Sequence, residues 1–289
     1  MKQYESLGSA LADLFETEEY SAQPVFGGDI NRAFRLSVYD RSVFMKANHR
    51  ENQLFFSAEI KGLDAIRRTG TFRVPETLAS GTDRQYGAFL LLEWCQGSPN
   101  RDFYEKFGRN LAAMHKADTN GIVKGFGFPE NNYIGAAKQE NTLEDSWLVF
   151  FREHRLRPQM EKAKAWFDRA DRKRMERLLD HLEDYLPEPA FPSLLHGDLW
   201  SGNHITGNDG EAWLIDPAVY VGHFEADLAM TELFGGFPQR FYGAYHEVNP
   251  IDPDYRERRD LYNLYHLLNH LNLFGGGYFG AVEEVLRRY

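Results

Sequence analysis

The sequence has a single cysteine, Cys95, so the chain cannot form an intrachain disulfide. This shortage excludes a secreted scaffold held together by disulfides and fits a reducing compartment. No segment approaches the roughly eighteen uninterrupted apolar residues of a membrane-spanning helix. The start of the chain, residues 1–20, is acidic and amphipathic, where a signal peptide would be basic and then apolar. We therefore expect a cytoplasmic protein without a membrane partner.

Positive charge is also in short supply. The chain has 33 Lys and Arg against 43 Asp and Glu, a formal net charge of −10. A nucleic-acid-binding protein needs a basic face to neutralise phosphates, so we expect no nucleic-acid partner. An anionic substrate must instead be met by a local cluster of cations. Internal repeats and low-complexity segments are absent as well, and monomer is the default oligomeric state.

The length of 289 residues predicts about two domains, and 43% hydrophobic residues are enough for a buried core. The sequence is rich in strand patterns as far as residues 97–100, where Gly, Ser, Pro and Asn interrupt it, and rich in helix patterns afterwards. We place a domain boundary there. The prediction is an α+β protein with a small β-rich lobe at residues 1–95 and a larger helical lobe at residues 96–289.

Apolar periodicity predicts the individual elements. Strands are predicted at 32–39, 42–47 and 88–94. Helices are predicted at 57–68, at 103–118, around Trp147 with a capping box at Thr142 and Asp145, at 161–186 and at 254–274.

The segment from 194 to 217 carries the strongest chemical signal. Asp198 and Asn203 lie five positions apart, and Asp216 ends the apolar segment that follows a Gly/Asn turn. Phosphoryl transfer needs a carboxylate to accept the proton of the attacking hydroxyl, and an amide and a second carboxylate to hold Mg²⁺. The spacing of the first two residues matches that of a kinase catalytic loop. The pattern predicts a kinase with Asp198 as base and with Asn203 and Asp216 as metal ligands.

The small lobe offers candidates for holding ATP. Gly27 and Gly28 lie between two predicted strands, where backbone amides could approach phosphates, although Gly-Gly is also a common turn. Lys46 ends the next strand and is a candidate for the contact to the α- and β-phosphates. A lysine in this role needs a carboxylate partner, and Glu59 is the first candidate, with Glu51 second.

The strand at 88–94 is followed by a segment suited to the inter-lobe hinge. We predict that backbone groups of Glu93, Trp94 and Cys95 meet the adenine edge. A backbone role of this kind leaves little imprint on the sequence.

Several motifs together resemble the fructosamine kinase (ketosamine-3-kinase) family, a branch of the protein-kinase-like superfamily near the aminoglycoside and choline phosphotransferases. The motifs are LLHGDLWSGN and IDPAVYVGHFEADLAM, preceded by GGDINRAFRL, FMK, LLLEW and GFGFPENNYIGAAKQEN, and accompanied by the late FGGF and FGG. The HGDxxxxN core marks the superfamily only. The residues LWSG within it and the DPA triplet are narrower and favour the ketosamine kinases.

The resemblance implies a two-lobed protein-kinase-like fold and an ATP- and Mg²⁺-dependent kinase. Its substrate would be a ketosamine such as a fructosamine or ribulosamine, free or protein-bound, phosphorylated on the 3-hydroxyl in deglycation. The resemblance assigns the base, metal and phosphate roles to the residues named above. It also implies that His196 braces the catalytic loop and that Asp227 ties the loop backbone to the following helix.

The substrate side is less defined. Trp200 has an apolar face suited to a sugar, but a core tryptophan is an equal alternative. His223, Glu225 and residues 131–133 are further candidates for contacts to hydroxyls or to the amine. The chain departs from protein kinases in two ways: Pro217 and Ala218 follow the metal aspartate where those enzymes have Phe and Gly, and there is no APE motif. Phosphorylation of a protein hydroxyl is therefore not expected.

Three alternatives stay open. The chain could be another small-molecule kinase, of aminoglycosides, choline or homoserine, and its acidity would suit a polycationic acceptor. It could be a kinase-like binding module without activity, or a metal-dependent hydrolase, although the several close His and Asp ligands of such sites are not evident. Some relatives have a cysteine in the glycine-rich loop that is linked to redox-dependent dimerisation. Asp29 follows Gly28 here, so we expect no redox switch at that site.

Overall fold

The computed structural model describes residues 2–26 and 30–289. The N-terminal part contains strands β1 (Gln3–Tyr4), β2 (Ser21–Val25), β3 (Arg32–Val38), β4 (Arg41–Asn48), β5 (Thr77–Asp83) and β6 (Gly87–Glu93). They form one sheet in the order β1-β5-β6-β4-β3-β2. β1 pairs in parallel with β5, and the other neighbours are antiparallel. The predicted hairpin at 32–47 is confirmed.

Two helices cover the sheet, α1 (Leu7–Phe15) on one face and α2 (Gln53–Arg68) on the other. The side chains of β6 alternate between these faces because successive residues of a strand point in opposite directions. Phe89 and Leu91 pack in the core that includes α1, whereas Leu90 and Leu92 pack in the core that includes α2. The sheet is therefore buried on both sides.

The rest of the chain is mainly helical. Its helices are α3 (Phe103–His115), α4 (Trp147–Phe151), α5 (Arg157–Ala163), α6 (Arg169–Asp180), α7 (Phe224–Leu233), α8 (Gln239–Val248), α9 (Tyr255–Phe274) and α10 (Phe279–Leu286), with a π turn at Arg152–Leu156 between α4 and α5. Three two-stranded ladders accompany them: β7 (Asn132–Ile134) with β8 (Ala137–Gln139), β9 (Ser193–Leu195) with β12 (Tyr220–Gly222), and β10 (His204–Thr206) with β11 (Ala212–Leu214).

Two helix predictions are wrong in detail. The stretch 161–186 is not one helix, because Asp168 starts a new one: its Oδ1 accepts hydrogen bonds from the N–H groups of Ala170 (2.7 Å) and Asp171 (2.9 Å). The helix around Trp147 is capped by Ser146, whose hydroxyl accepts from the N–H of Val149, and not by the predicted box. The helix predicted at 254–274 is confirmed as α9.

The α+β class is confirmed: a β-rich N-terminal part precedes a helical remainder. The predicted boundary between residues 95 and 96 falls just after β6 and stays a prediction, since one hydrophobic core extends from Phe56 and Leu63 of α2 to Phe107 of α3. Within the two described ranges, no helix has the length and apolarity needed to cross a bilayer.

Candidate active site

The loop between β9 and β10, residues 196–203, is held by a buried carboxylate. Asp227, on α7, accepts hydrogen bonds from the N–H groups of His196 (2.7 Å) and Gly197 (2.9 Å). Burial acts to raise the pKa of Asp227, but the hydrogen bond and charge of His115 and the backbone donors outweigh it and hold the pKa below its usual range. The tie between the loop backbone and the following helix is therefore confirmed.

The buried His196 ring uses both of its nitrogens. Its Nδ1 accepts from the N–H of Asp198 (3.3 Å), so its Nε2 carries the proton and donates to the carbonyl of Ile215 (3.0 Å). Burial lowers the pKa of His196, which keeps the ring neutral in this tautomer. The ring braces the loop against the strand that leads to Asp216, as predicted.

Gly197 is required by geometry at the centre of this loop. Its φ is +81°, and a Cβ at this position would lie 2.1 Å from the carbonyl oxygen of Ala218. That carbonyl belongs to the backbone just after Asp216. The glycine therefore lets the two segments that carry the candidate catalytic residues approach each other closely.

We expect Gly197→Ala to lower the free energy of unfolding by at least about 2 kcal/mol, because it adds a left-handed strain and a backbone clash. Urea unfolding measures the loss. Gly243→Ala is the matched control, since nothing lies within 4 Å of its Cβ position in α8. An unfolding free energy of the Gly197 variant equal to that of the control would contradict the clash.

Asp198 and Asn203 are in direct contact. The Nδ2 of Asn203 donates to the Oδ2 of Asp198 (3.0 Å) and to its carbonyl oxygen (2.7 Å). Burial raises the pKa of Asp198 to about 7, with the Asn203 hydrogen bond acting against the rise and the charge of Asp227 adding to it. A carboxyl with a pKa near neutrality suits proton acceptance from a hydroxyl. The catalytic role of Asp198 stays a prediction.

Lys46 joins the N-terminal sheet to the strand end at Asp216. Its Nζ donates to Glu59 Oε1 of α2 (2.6 Å) and to Asp216 Oδ1. The lysine is 6% exposed, so both carboxylates offset the cost of burying its charge. The structure thus brings together three of the predicted residues. Glu51, the second candidate partner, is exposed in a 3₁₀ turn at Arg50–Asn52, and the ion pairs of Lys46 among the described residues are with Glu59 and Asp216 instead.

The oxygen atoms near the loop fit a magnesium ion. The amide nitrogen of Asn203 is occupied by Asp198, so its Oδ1 is directed the other way, and Asp216 has its side chain 44% exposed. Carboxylate and amide oxygens are the ligands that Mg²⁺ prefers, and the ion usually takes one or two protein ligands together with phosphates. No group of three or more His, Cys, Asp or Glu that could hold a metal occurs among the described residues.

Asp216 has a left-handed backbone, with φ +54°. The N–H of Ile215, just before it, donates to the carbonyl of Asn203 (3.1 Å), and the N–H of Ala218 donates to the carbonyl of His196 (2.9 Å). Backbone hydrogen bonds on both sides of Asp216 therefore connect its segment to the catalytic loop. A left-handed aspartate turns its carboxylate out of the strand direction, towards Lys46.

The predicted hinge begins at Glu93, the last residue of β6. Glu93 is tied back by its N–H, which donates to the carbonyl of Glu76 (2.8 Å), and Trp94 packs between Phe44 and the guanidinium of Arg35. No hydrogen bond to the N–H of Cys95 occurs within the described residues. Burial raises the pKa of the Cys95 thiol to about 12, so the thiol stays protonated. The adenine contact stays a prediction. Gly27 and Gly28 lie outside the described residues.

The two predicted substrate residues differ in position. Trp200 lies in the catalytic loop with 37% of its surface exposed. His223 is 4% exposed and its ring packs against Trp147, Phe224 and Tyr262. It caps α7 by accepting from the N–H of Glu225 (3.1 Å), at the end of β12 opposite to Asp198. The structure does not bring His223 to the cleft, and Glu225 is likewise buried in an ion pair with Arg258 (2.6 Å).

His223 instead makes stability depend on pH. Burial, with smaller contributions from the charges of Arg258 and His115, lowers its pKa to about 3. Between that value and about 6.5 the unfolded chain binds a proton that the folded chain does not, so stability is complete above pH 6.5 and falls as the pH drops. We expect a contribution of up to about 1.4 kcal/mol per pH unit.

Urea unfolding between pH 7.5 and pH 5 measures this slope. His223→Asn replaces the capping Nδ1 by a side-chain oxygen that can accept the same hydrogen bond, and it removes the titration, so the slope should be shallower than that of the wild type. The buried His266, whose pKa burial also lowers to about 3, leaves a residual slope in the variant. Identical slopes would show that His223 does not titrate as described.

Residues 131–133 are predicted to contact the substrate, but Asn132 is buried and belongs to a supporting cluster that sequence reasoning missed. Gln139 Nε2 donates to the carbonyl of Ala218 (2.9 Å), and Asn132 Nδ2 donates to the carbonyl of Val219 (2.7 Å). The buried Asn141 donates to Asn132, and Arg155 donates to Asn141. These amides hold the backbone after Asp216. The available signal was the run of amide residues at 131–141, whose polar side chains follow two short strand patterns.

Comparison with known proteins identifies the family. The chain matches the family model described as fructosamine kinase over residues 4–289. This protein belongs to the fructosamine kinase family. It is 43% identical over 267 residues to a probable ketoamine kinase of Synechocystis, covering 91% of this chain and 88% of the relative. It is 38% identical to the chloroplastic protein-ribulosamine 3-kinase of Arabidopsis thaliana, covering 92% and 81% of the two chains.

Solved structures agree with the fold of this fructosamine kinase family member. A putative fructosamine-3-kinase from Thermobifida fusca superimposes with a TM-score of 0.83 at 32% identity, covering 98% of this chain and 97% of the other. An aminoglycoside phosphotransferase in a ternary complex with AMP-PNP and hygromycin B has a TM-score of 0.64 at 20% identity, covering 98% of both chains. The predicted kinase-like fold is confirmed.

Proposed function

We propose that this protein is an ATP-dependent kinase that phosphorylates the 3-hydroxyl of ketosamines, of the fructosamine or ribulosamine type, in deglycation. The observation that carries the proposal is the meeting of Lys46, Glu59 and Asp216 beside the contacting pair Asp198 and Asn203. Family membership supports it, since the relatives are called ketoamine kinases and a ribulosamine 3-kinase. We take residues 1–95 and 96–289 as the two lobes of a cytoplasmic monomer.

The nucleotide would lie between the lobes. In this arrangement Lys46, kept in place by Glu59, holds the α- and β-phosphates, and backbone groups at 93–95 meet the adenine. Gly27 and Gly28, which lie outside the described residues, remain candidates for contact with the phosphates. A magnesium ion held by Asn203 and Asp216 would neutralise charge on the phosphates.

Asp198 acts on the acceptor in this proposal. Its carboxylate accepts a hydrogen bond from the attacking 3-hydroxyl and takes its proton as the phosphoryl group is transferred. The loop contacts from Asp227 and His196 fix the carboxylate before the substrate arrives, so little reorganisation is needed. Catalysis then comes mainly from positioning and charge neutralisation.

A panel of acceptors tests the function. We expect coupled ATP consumption with fructosyl-lysine or ribulosyl-lysine, and none above background with kanamycin or choline. Identification of the product as the 3-phosphate confirms the acceptor hydroxyl. Turnover of kanamycin or choline alone would replace the ketosamine proposal by another small-molecule kinase, and nucleotide binding without turnover of any acceptor would indicate an inactive binding module.

A further inference from the structure

Two Phe-Gly-Gly segments, far apart in sequence, meet at one histidine. Phe234 directly follows α7 and Phe274 ends α9, and each precedes a glycine with left-handed φ, +90° at Gly235 and +87° at Gly275. The glycines end the helices and turn the chain away. The ring of His270, on α9, lies 4.9 Å from the ring of Phe234 and 5.6 Å from that of Phe274.

Two further aromatic rings lie next to this group, one beside His270 and one beside Phe234. Tyr278 lies 5.0 Å from His270, and Trp200 lies 6.1 Å from Phe234. We call these five residues, Trp200, Phe234, His270, Phe274 and Tyr278, the aromatic row. Its two ends are open to solvent, since Trp200 is 37% and Phe274 is 52% exposed. The row begins in the catalytic loop, two residues after Asp198.

One end of the aromatic row lies near the N-terminal part of the chain. Gly135, in the turn between β7 and β8, lies between Ile30 of the N-terminal part and Leu273 of α9, each 3.3 Å from the position of its Cβ. Ile30 is the first described residue after the candidate phosphate loop. The end of α9 that carries Phe274 therefore lies close to Ile30 of the N-terminal part, across the turn between β7 and β8.

His270 is the member of the row that can accept a hydrogen bond, and its ring is uncharged. Its Nδ1–H donates to the carbonyl of His266 (2.8 Å), which leaves Nε2 with a free lone pair. Burial lowers the pKa of the ring, so it carries no charge at neutral pH. Nε2 has no hydrogen-bond partner within the described part of the chain.

We propose that the aromatic row binds the amine side of the ketosamine: its protonated secondary nitrogen and the alkyl chain of the amine carrier, as in a lysine side chain. The inference rests on the proposed function. In a ketosamine the nitrogen is attached to C1, two carbons from the hydroxyl on C3, so it must lie close to Asp198, in the loop that also carries the exposed Trp200. The carrier then continues along the row.

The chemistry of the row fits this occupant. Aromatic faces attract an ammonium through their quadrupole, and each exposed ring contributes a factor of about two to five in affinity. His270 Nε2 can accept one N–H of the ammonium, and a neutral ring does not repel it. An elongated row of rings also suits an alkyl chain better than a compact sugar, and the net charge of −10 favours a cation.

A matched pair of substrates tests the inference. One is 1-deoxy-1-hexylamino-fructose and the other is 1-O-hexyl-fructose, which has the same sugar and chain but an ether in place of the ammonium. We expect the wild-type protein to prefer the amine about tenfold or more in kcat/KM. Phe234→Leu and Phe274→Leu should each reduce this preference about two- to fivefold through the KM for the amine, with the KM for ATP unchanged.

Phe191→Leu is the matched control, since Phe191 stacks on Phe224 before β9, at the opposite end of that strand from Asp198. Its preference should equal that of the wild type. Phe274 is half exposed, so its variant tests the inference even if Phe234→Leu does not fold. No amine preference in the wild type, or an unchanged preference in the two variants, overturns the inference and leaves the kinase standing. Failure to phosphorylate any ketosamine overturns both.

Discussion

Asp198→Asn is expected to lower kcat about 10²- to 10⁴-fold, the range that a positioned general base contributes. Asparagine keeps the shape of the side chain, and its amide can still meet Asn203, so the loop contacts at His196 and Asp227 stay in place. The dissociation constant for ATP should therefore stay within about twofold of the wild-type value.

Single-turnover kinetics on fructosyl-lysine and nucleotide titration measure the two quantities separately. Asp40→Asn makes the same chemical change in the exposed turn between β3 and β4 and should leave both unchanged. If the Asp198 variant kept more than about one hundredth of wild-type turnover, Asp198 would not be the base.

Asp216→Asn is expected to weaken the binding of Mg·ATP about 10- to 100-fold and to remove most turnover, because the variant loses the only charged ligand proposed for the metal. Asparagine tolerates the left-handed backbone at this position, so the change removes charge without adding the strain that alanine would bring. Lys46 keeps Glu59 as its partner.

The metal dependence separates this effect from general damage. ATP affinity should differ between variant and wild type with Mg²⁺ present, and the difference should shrink when EDTA removes the metal. An equal loss of affinity with and without Mg²⁺ would assign Asp216 to nucleotide contact through Lys46 and not to the metal. Asp40→Asn again serves as the control.

The two predictions concern different segments of the site: the loop that carries Asp198 and the strand end that carries Asp216. The loop of Asp198 is held by α7, because Asp227 accepts a hydrogen bond from the N–H of Gly197. The carboxylate of Asp216 is instead paired with Lys46 of the N-terminal sheet. Movement of the two parts relative to each other would therefore first change the contact between Lys46 and Asp216.

The sequence pattern predicted the secondary-structure elements that are determined by residues close to each other in the chain. The β3–β4 hairpin and α9 follow from apolar periodicity and end signals within a few residues. The same reasoning failed at 161–186, where helical spacing continued across Asp168 although that side chain starts a new helix. Periodicity records which face is apolar, but it does not record whether the backbone hydrogen bonds continue through each residue.

Burial of polar side chains was not predictable in the same way. His223 follows the catalytic segment in sequence and carries a reactive side chain, yet it lies in the core as a helix cap. Trp200, only two residues from Asp198, remains partly exposed. Sequence distance from the base does not distinguish the two, because the direction of a side chain depends on the elements that pack against it.

The amino-acid sequence alone determined the kinase chemistry and the family. The motif that carries both, from Asp198 and Asn203 to Asp216, is local, because a turn and a short strand are enough to place its residues. The tertiary structure decided which carboxylate pairs with Lys46: Glu51 and Glu59 both follow it closely, and only the packing of α2 against the sheet turns Glu59 inward. It also decided that two Phe-Gly-Gly segments meet at His270. Contacts of this kind depend on how distant elements pack, and no local pattern of residues encodes them.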